Sequence, residues 1–261
     1  MRAAPAMIAR NLQSAMSAYS RSTEAGEVAR FPGLVLVSSG IDYAVFNSAV
    51  FADAADHETI VRLAGEAREF YVHRKIGWSC WFCPELLDDG SCPRLSQLLE
   101  RWGLQCVAEH QCMMSDRVTP AARPLPALNV REVQDPQSRL DFIHVCVRTF
   151  GLPAAIARQI YGSERFWRGA LRGWVGYAGG WPVTTAATEA AEGSIGVYSV
   201  ATLPEFRRRG YGEAITRHSI REATTACGLE CSTLQSTPAG LTLYRGMGYK
   251  PCGRFLVFAT P

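Results

Sequence analysis

The chain has 261 residues, 48% hydrophobic and 20% charged, with a formal net charge of +3. That length allows one large domain or two ordinary ones, and so mild a charge does not by itself predict a nucleic-acid surface. No apolar run approaches the ~20 residues of a membrane-spanning helix, the first residues lack a secretory apolar core, and an odd count of nine cysteines fits a reducing cytoplasm better than a disulfide framework.

Taken in chain order, Ile8, Leu12, Met16 and Tyr19 are spaced as one face of a helix. Gly33 to Ser38 and Tyr43 to Phe46 read as paired strands around Ser39-Gly40, and Thr59 to Phe70 as a helix. Ile76 to Phe82 is expected to be a strand, Leu95 to Trp102 a helix ended by Gly103, and Cys106 to Arg117 a closing strand. Arg117 to Ala127, with Pro120, Pro124 and Pro126, reads as a linker. The expected division is therefore residues 1–117, a linker over 118–127, and residues 128–261.

In the second half, Asp135-Pro136 is a helix start, with Asp135 as cap and Pro136 at the first helical position. Leu140, Ile143, His144, Val147 and Phe150 then mark its expected apolar face, and a second helix follows from Pro153 to Tyr161. Trp174 to Tyr177 and Val183 to Ala187 flank Gly179-Gly180 as a hairpin, and a polar turn at Glu189 to Gly193 leads into a strand at Ser194 to Val200. Ala214, Ile215, His218, Ile220 and Ala223 recur at helical spacing up to Gly228. Leu229 to Gln235 reads as a strand, Ala239 to Gly246 as a short helix, and Tyr249 to Ala259 as a last strand.

Between the Ser194 strand and the helix that follows lies Val200-Ala201-Thr202-Leu203-Pro204-Glu205-Phe206-Arg207-Arg208-Arg209-Gly210-Tyr211-Gly212. A strand that hands over to a helix N-terminus through glycines gathers free amides and the positive end of the helix dipole, which suits a phosphate. Gly210 and Gly212 let the backbone approach such a ligand. Neither the P-loop nor the dinucleotide spacing fits, because Glu213-Ala214-Ile215 follows Gly212. The stretch resembles the acyl-coenzyme A signature of the GNAT N-acetyltransferase superfamily, Arg/Gln-x-x-Gly-x-Gly/Ala, matched by Arg207, Gly210 and Gly212. The order of elements around it is similar to a GNAT core, and Tyr244-Arg245-Gly246-Met247-Gly248-Tyr249 is similar to that family's Tyr-x-x-x-Gly-Phe/Tyr.

The resemblance implies an α/β fold with two GNAT-like mixed-sheet domains in tandem, each a mostly antiparallel sheet flanked by helices. The first half has no Arg-x-x-Gly-x-Gly loop, so it resembles the degenerate partner half of tandem GNAT proteins. It further implies acetyl-CoA, or another acyl-CoA, as co-substrate, held by Val200, Ala201, Thr202, Arg207, Arg208, Arg209, Gly210, Tyr211 and Gly212. A small-molecule amine attacks the thioester carbonyl, a tetrahedral oxyanion forms against amides near Val200 and Ala201, and Tyr244 serves the departing thiolate as general acid. A core aromatic on a short helix is the bland reading of Tyr244, and a solvated basic turn that of the arginines.

No base can be assigned from the motif strand, which carries Tyr198 and Ser199 where many relatives carry glutamate. Glu189, Glu192, His144, an acid from the first half and a water relay all stay open. Cys80, Cys83, Cys92, Cys106 and Cys112, with His110, invite a zinc site. A ribbon would need a second close pair, and on a strand Cys80 and Cys83 face opposite ways, so buried free thiols are the simpler account and no metal is expected. The function expected is acyl-CoA-dependent N-acyltransfer. A carrier-protein thioester or an aminoacyl-tRNA as donor, and a non-catalytic coenzyme-binding regulator, are the alternatives; no membrane partner is expected.

Overall fold

The computed structural model describes residues 3–53, 55–88 and 90–261. Helix α1 (Ala3–Ser17) buries Ile8, Leu12 and Met16, the face read from its spacing. Strands β1 (Glu27–Phe31) and β2 (Leu34–Ser38) form a hairpin whose turn uses Gly33 at φ +80°. Strand β3 (Ser48–Phe51), helix α2 (His57–Arg74) and strand β4 (Ser79–Phe82) make a parallel crossover unit. Helix α3 (Ser91–Arg101) and strand β5 (Gln105–Ser115) end the first half.

The second half runs β6 (Asn129–Glu132), α4 (Pro136–Phe150), α5 (Ala154–Tyr161), β7 (Leu171–Ala178), β8 (Trp181–Ala191) and β9 (Ser194–Thr202). It continues with α6 (Tyr211–Cys227), β10 (Ser232–Ser236), α7 (Leu241–Gly246) and β11 (Lys250–Ala259). Asp135 caps α4 as expected: its carboxylate accepts from the Ser138 amide at 2.9 Å while the Ser138 hydroxyl accepts from the Asp135 amide at 3.1 Å. Gly179 and Gly180, at φ +58° and +84°, form the turn of the β7–β8 hairpin.

Among the described residues all strands join one eleven-stranded sheet in the order β1-β2-β3-β4-β11-β5-β10-β9-β8-β7-β6. The two expected sheets are thus fused, and the fusion is an exchange. Strand β5 of the first half pairs with β10 of the second, and β11 of the second pairs with β4 of the first. The two exchanged strands also pair with each other along most of their length, from Lys250↔Met114 to Ala259↔Gln105. Neither half closes its sheet with its own last strand.

Helix α1 fastens the halves from one face of the sheet. Asn11, fully buried, donates to the carbonyls of Glu189, Ala191 and Ser194, and accepts from the Tyr198 hydroxyl at 2.6 Å. Gly196 permits this approach, since a Cβ there would come within 1.9 Å of the Asn11 amide oxygen. Ser14 donates to Glu189 at 2.7 Å, and Gln13 to the Val50 carbonyl at 2.7 Å. One helix therefore holds β3 of one half and β8–β9 of the other.

Several expectations are corrected. Tyr43 to Phe46 is not a strand; Ala44–Phe46 is a 3₁₀ turn. The Asn47 side chain takes the carbonyls of Ile41, Tyr43 and Gly77 and accepts from the Ser39 amide, filling the place of a strand partner. The true partner of β2 in a hairpin, β1, lacks a clean alternation and is half-exposed. Helix α4 buries Phe142, Ile143, Val145 and Cys146, whereas Leu140, His144 and Phe150 are exposed. It is apolar over a wide arc, and packing against α5 and the sheet selects the stripe. Glu189 lies in β8, before the turn made by Glu192 and Gly193, and β10 begins only at Ser232.

Candidate acyl-transfer site

The site begins with an irregularity in β9. Its register with β8 passes from Thr185↔Ala201 to Ala187↔Tyr198, so Ser199 and Val200 together oppose Ala186. Ser199 sits at φ +50°, and the Thr185 hydroxyl donates to its carbonyl at 2.9 Å. This bulge twists β9 away from β10. The two strands pair in parallel only at Ser232↔Ile195 and Thr233↔Gly196, and then part.

A cavity of about 1230 Å³ occupies the parting. On one side it reaches the 203–212 loop and α7; on the other it reaches α1, Trp81 and His110 of the first half, and Tyr161, Phe166 and Trp167. Val197, Leu234 and Tyr244 share one apolar cluster, while Tyr198 packs on clusters containing α1. The cavity thus links the two faces of the sheet.

The loop leaves its amides open. Arg207 ties it back through Nε to the Thr202 carbonyl at 3.1 Å. Arg208 and Gly210 take φ values of +63° and +86°, and Gly210 stands at the N-cap of α6 with no capping side chain. The first turn is closed by the Ala214 amide on the Gly210 carbonyl at 3.0 Å. The amides from Arg208 to Glu213 have no protein acceptor among the described residues. Such a concave run of free N–H groups at the N-terminus of a long helix favours an anion. Arg207, Arg208 and Arg123 add positive charge along the cavity, while Glu213 is engaged by Arg217 at 2.9 Å.

Of the residues expected to hold the coenzyme, Val200, Thr202, Arg207, Arg208, Gly210, Tyr211 and Gly212 line this cavity. Ala201 is buried, its carbonyl accepting from Thr184 at 2.6 Å, and Arg209 lies over the Phe206 ring; neither lines the cavity. Tyr244 lines it from α7, with its ring edge-on to Tyr249 at 5.8 Å. Burial raises its hydroxyl pKa well above the ordinary 10, and among the described residues that hydroxyl has no hydrogen-bond partner.

The acids and the histidine considered as bases lie elsewhere. Glu189 is buried beside Ser14 and Arg21, its pKa raised by desolvation; Glu192 pairs with Arg10 at 3.4 Å; His144 is exposed on α4. None of the three lines the cavity. Residues the motif reading passed over do: His110 and Gln235, on neighbouring strands, and Trp81. His110 reads in the sequence only as a companion of the cysteines, because its place beside Gln235 comes from the pairing of β5 with β10, which no local pattern marks. Of the cysteines, Cys80 packs in one core cluster and Cys83 with Cys112 in another, as strand alternation requires. No group of metal-ligating side chains is found among the described residues, and no helix of those residues is long and apolar enough to cross a membrane.

A bulged strand thus parts from its parallel neighbour beside an uncapped helix N-terminus. Residues 163–251 match the family model of the acetyltransferase (GNAT) domain. Most of the chain superposes on solved GNAT structures. A GCN5-related N-acetyltransferase from Kribbella flavida has a TM-score of 0.69 and 19% identity, covering 97% of this chain and 95% of that one. A tandem GNAT protein from the clavulanic acid biosynthesis pathway has a TM-score of 0.58 and 14% identity, covering 91% and 83%. A GCN5-related N-acetyltransferase from Sphaerobacter thermophilus has a TM-score of 0.55 and 16% identity, covering 87% and 80%. A comparison with curated protein sequences gives no match. The chain carries a GNAT domain in its second half, and its fold is that of tandem GNAT proteins.

Proposed function

We propose that the protein transfers an acyl group, acetyl in the simplest case, from acyl-coenzyme A to the amine of a small molecule. The observation that carries this reading is the continuity of one cavity from the free amides of α6, past the unpartnered Tyr244 hydroxyl, through the parted strands to the opposite face. Donor and acceptor then enter from opposite faces and meet between β9 and β10. The amides from Arg208 to Glu213 take the pyrophosphate, with Arg207, Arg208 and Arg123 facing its charge. The backbone at the Ser199–Val200 bulge holds the acyl carbonyl and stabilises the oxyanion that forms on attack.

Tyr244 stands where the carbon–sulfur bond breaks. A phenol whose pKa is raised by burial stays protonated across the working range. It therefore donates a hydrogen bond to the developing thiolate and keeps its proton, which refines the role of general acid. Tyr244→Phe is expected to lower kcat about ten-fold or more with acetyl-CoA affinity unchanged, read by steady-state kinetics and calorimetry. Equal kcat in both forms would remove Tyr244 from the mechanism.

The donor site is tested by titrating acetyl-CoA into the wild type and Gly212→Ala. A Cβ at Gly212 meets Thr202 and Leu243 at ordinary contact distances of 3.4 and 3.7 Å, so the variant folds and reports on the ligand. Affinity is expected to fall about ten-fold, equivalent to ~1.4 kcal/mol. No binding by the wild type would overturn the free coenzyme as donor and favour a carrier-bound thioester.

A further inference from the structure

The half of the cavity across the sheet from α6 has a composition of its own. Tyr19 stacks on Phe166 at 5.6 Å and Tyr161 and Trp167 close around them, with Leu12, Met16 and Trp81 completing the walls. Among the described residues no carboxylate lines this part; Glu213, which lines the cavity, is on the α6 side and paired with Arg217. A polycationic or strongly hydrated acceptor finds no counter-charge here, and an aromatic body finds a matching surface.

Where this chamber meets the parted strands, two polar groups lack partners among the described residues. The His110 imidazole lies parallel to the Trp81 indole at 5.6 Å, and its Nδ1 is shut from solvent with no hydrogen bond. The Gln235 Nε2 is likewise buried and unbonded. The register Cys112↔Gln235 and Gln111↔Ser236 puts His110 and Gln235 on the same face of adjacent strands, one diagonal step apart. Two orphan polar groups on one cavity wall point to a polar ligand atom at that place. A hydrocarbon acyl chain offers neither donor nor acceptor here, whereas an amine offers an N–H to the His110 Nδ1 acceptor and its attack generates an oxyanion for the Gln235 Nε2 donor.

We propose that this chamber binds an aromatic primary amine, with His110 as the base that takes the amine proton and Gln235 Nε2 as a donor to the oxygen that becomes negative on attack. The proposal rests on the acyltransfer reading. As the amine nitrogen bonds to the acyl carbon, one N–H proton passes to the imidazole, the carbon–sulfur bond breaks, and the thiolate leaves against Tyr244. The imidazolium then releases that proton to solvent or to the thiolate. His110 is suited to this because burial lowers its pKa and keeps it neutral. The titratable groups on the elements around it are Cys112 on β5, Arg254 of β11 paired with Glu109 at 3.4 Å, Cys83 and Glu85 after β4, Tyr198 on β9 and Tyr19 after α1. None of them is a cause of its shift; burial alone is.

The test uses 2-phenylethylamine and spermidine as acceptors with acetyl-CoA, and His110→Gln beside the wild type. The amine is also titrated calorimetrically without donor. Expected results are that 2-phenylethylamine binds and reacts faster than spermidine, and that kcat/KM in the wild type falls on the acid side with an apparent pKa below 6.5. In His110→Gln that limb disappears, kcat/KM drops about 100-fold, and acetyl-CoA affinity is kept, which certifies the fold. A wild-type pH profile in His110→Gln, preference for spermidine, or faster turnover of octanoyl-CoA than acetyl-CoA would overturn the proposal. Aromatic-amine binding without acetyl-CoA binding would overturn the donor reading and leave the chamber standing.

Discussion

The two parallel crossover units, β3–α2–β4 and β9–α6–β10, are built alike and differ at the first turn of the helix. In the first, the Asp56 carboxylate caps α2 by accepting from the Thr59 amide at 2.8 Å. In the second, Gly210 occupies the cap and supplies no side chain. The strands differ in the same sense. β3 and β4 pair from Ser48↔Ser79 to Val50↔Trp81, with the hydroxyls of Ser48 and Ser79 3.0 Å apart, whereas β9 and β10 part after two pairs. One unit caps its helix with an anion of its own, and the other leaves its first amides open, as the proposed donor site requires. The proposed donor site is thus a repeated scaffold that lacks one capping side chain and part of the ladder.

The largest expected effect comes from erasing that difference. Gly210→Asp gives α6 the cap that α2 has and sets a carboxylate where the phosphates belong, so acetyl-CoA affinity should fall ~100-fold or more, about 2.7 kcal/mol. Calorimetry reads it, with a melting scan to detect any strain from the left-handed backbone at this position. Retained affinity would mean that the loop amides do not hold the donor.

Next is the fastening between the halves. Asn11→Ala removes a buried donor to three carbonyls and the acceptor of the Tyr198 hydroxyl, and is expected to lower stability by about 2 kcal/mol. Because the halves share one sheet, denaturant unfolding should stay a single transition. Two transitions would show that each half folds alone despite the exchanged strands.

The smallest effect is on the closed side. The Asp56 carboxyl is held below the usual carboxylate range chiefly by its bond from the Thr59 amide. Its stabilisation is present above the unfolded pKa of about 4 and is lost as pH falls through the folded value. The melting temperature of Asp56→Ala should lie slightly and evenly below wild type near neutrality and converge with it below about pH 4, while acetyl-CoA binding is unchanged. A change in binding would mean that the two units are coupled.

Much of this site was legible because its signals are local. The Asp135-Pro136 cap, the Gly179-Gly180 turn and the loop from Arg207 to Gly212 each depend on residues a few positions apart, and each lies where its chemistry indicates. The Tyr43–Phe46 stretch misled because its backbone is organised by Asn47 and Gly77, the latter distant in sequence. The stripe on α4 misled because several apolar faces were available and packing chose among them.

The sequence by itself determined the fold class, the strand-to-helix loop and the place of Tyr244 on its short helix, since φ preferences, caps and periodicity act over one or two turns. Only the tertiary structure decided that β5 and β11 trade places, and with that exchange that His110 faces the cavity beside Gln235. Strand order is set by which apolar faces and free edges meet after collapse, a choice among non-local pairings that no short window of sequence encodes.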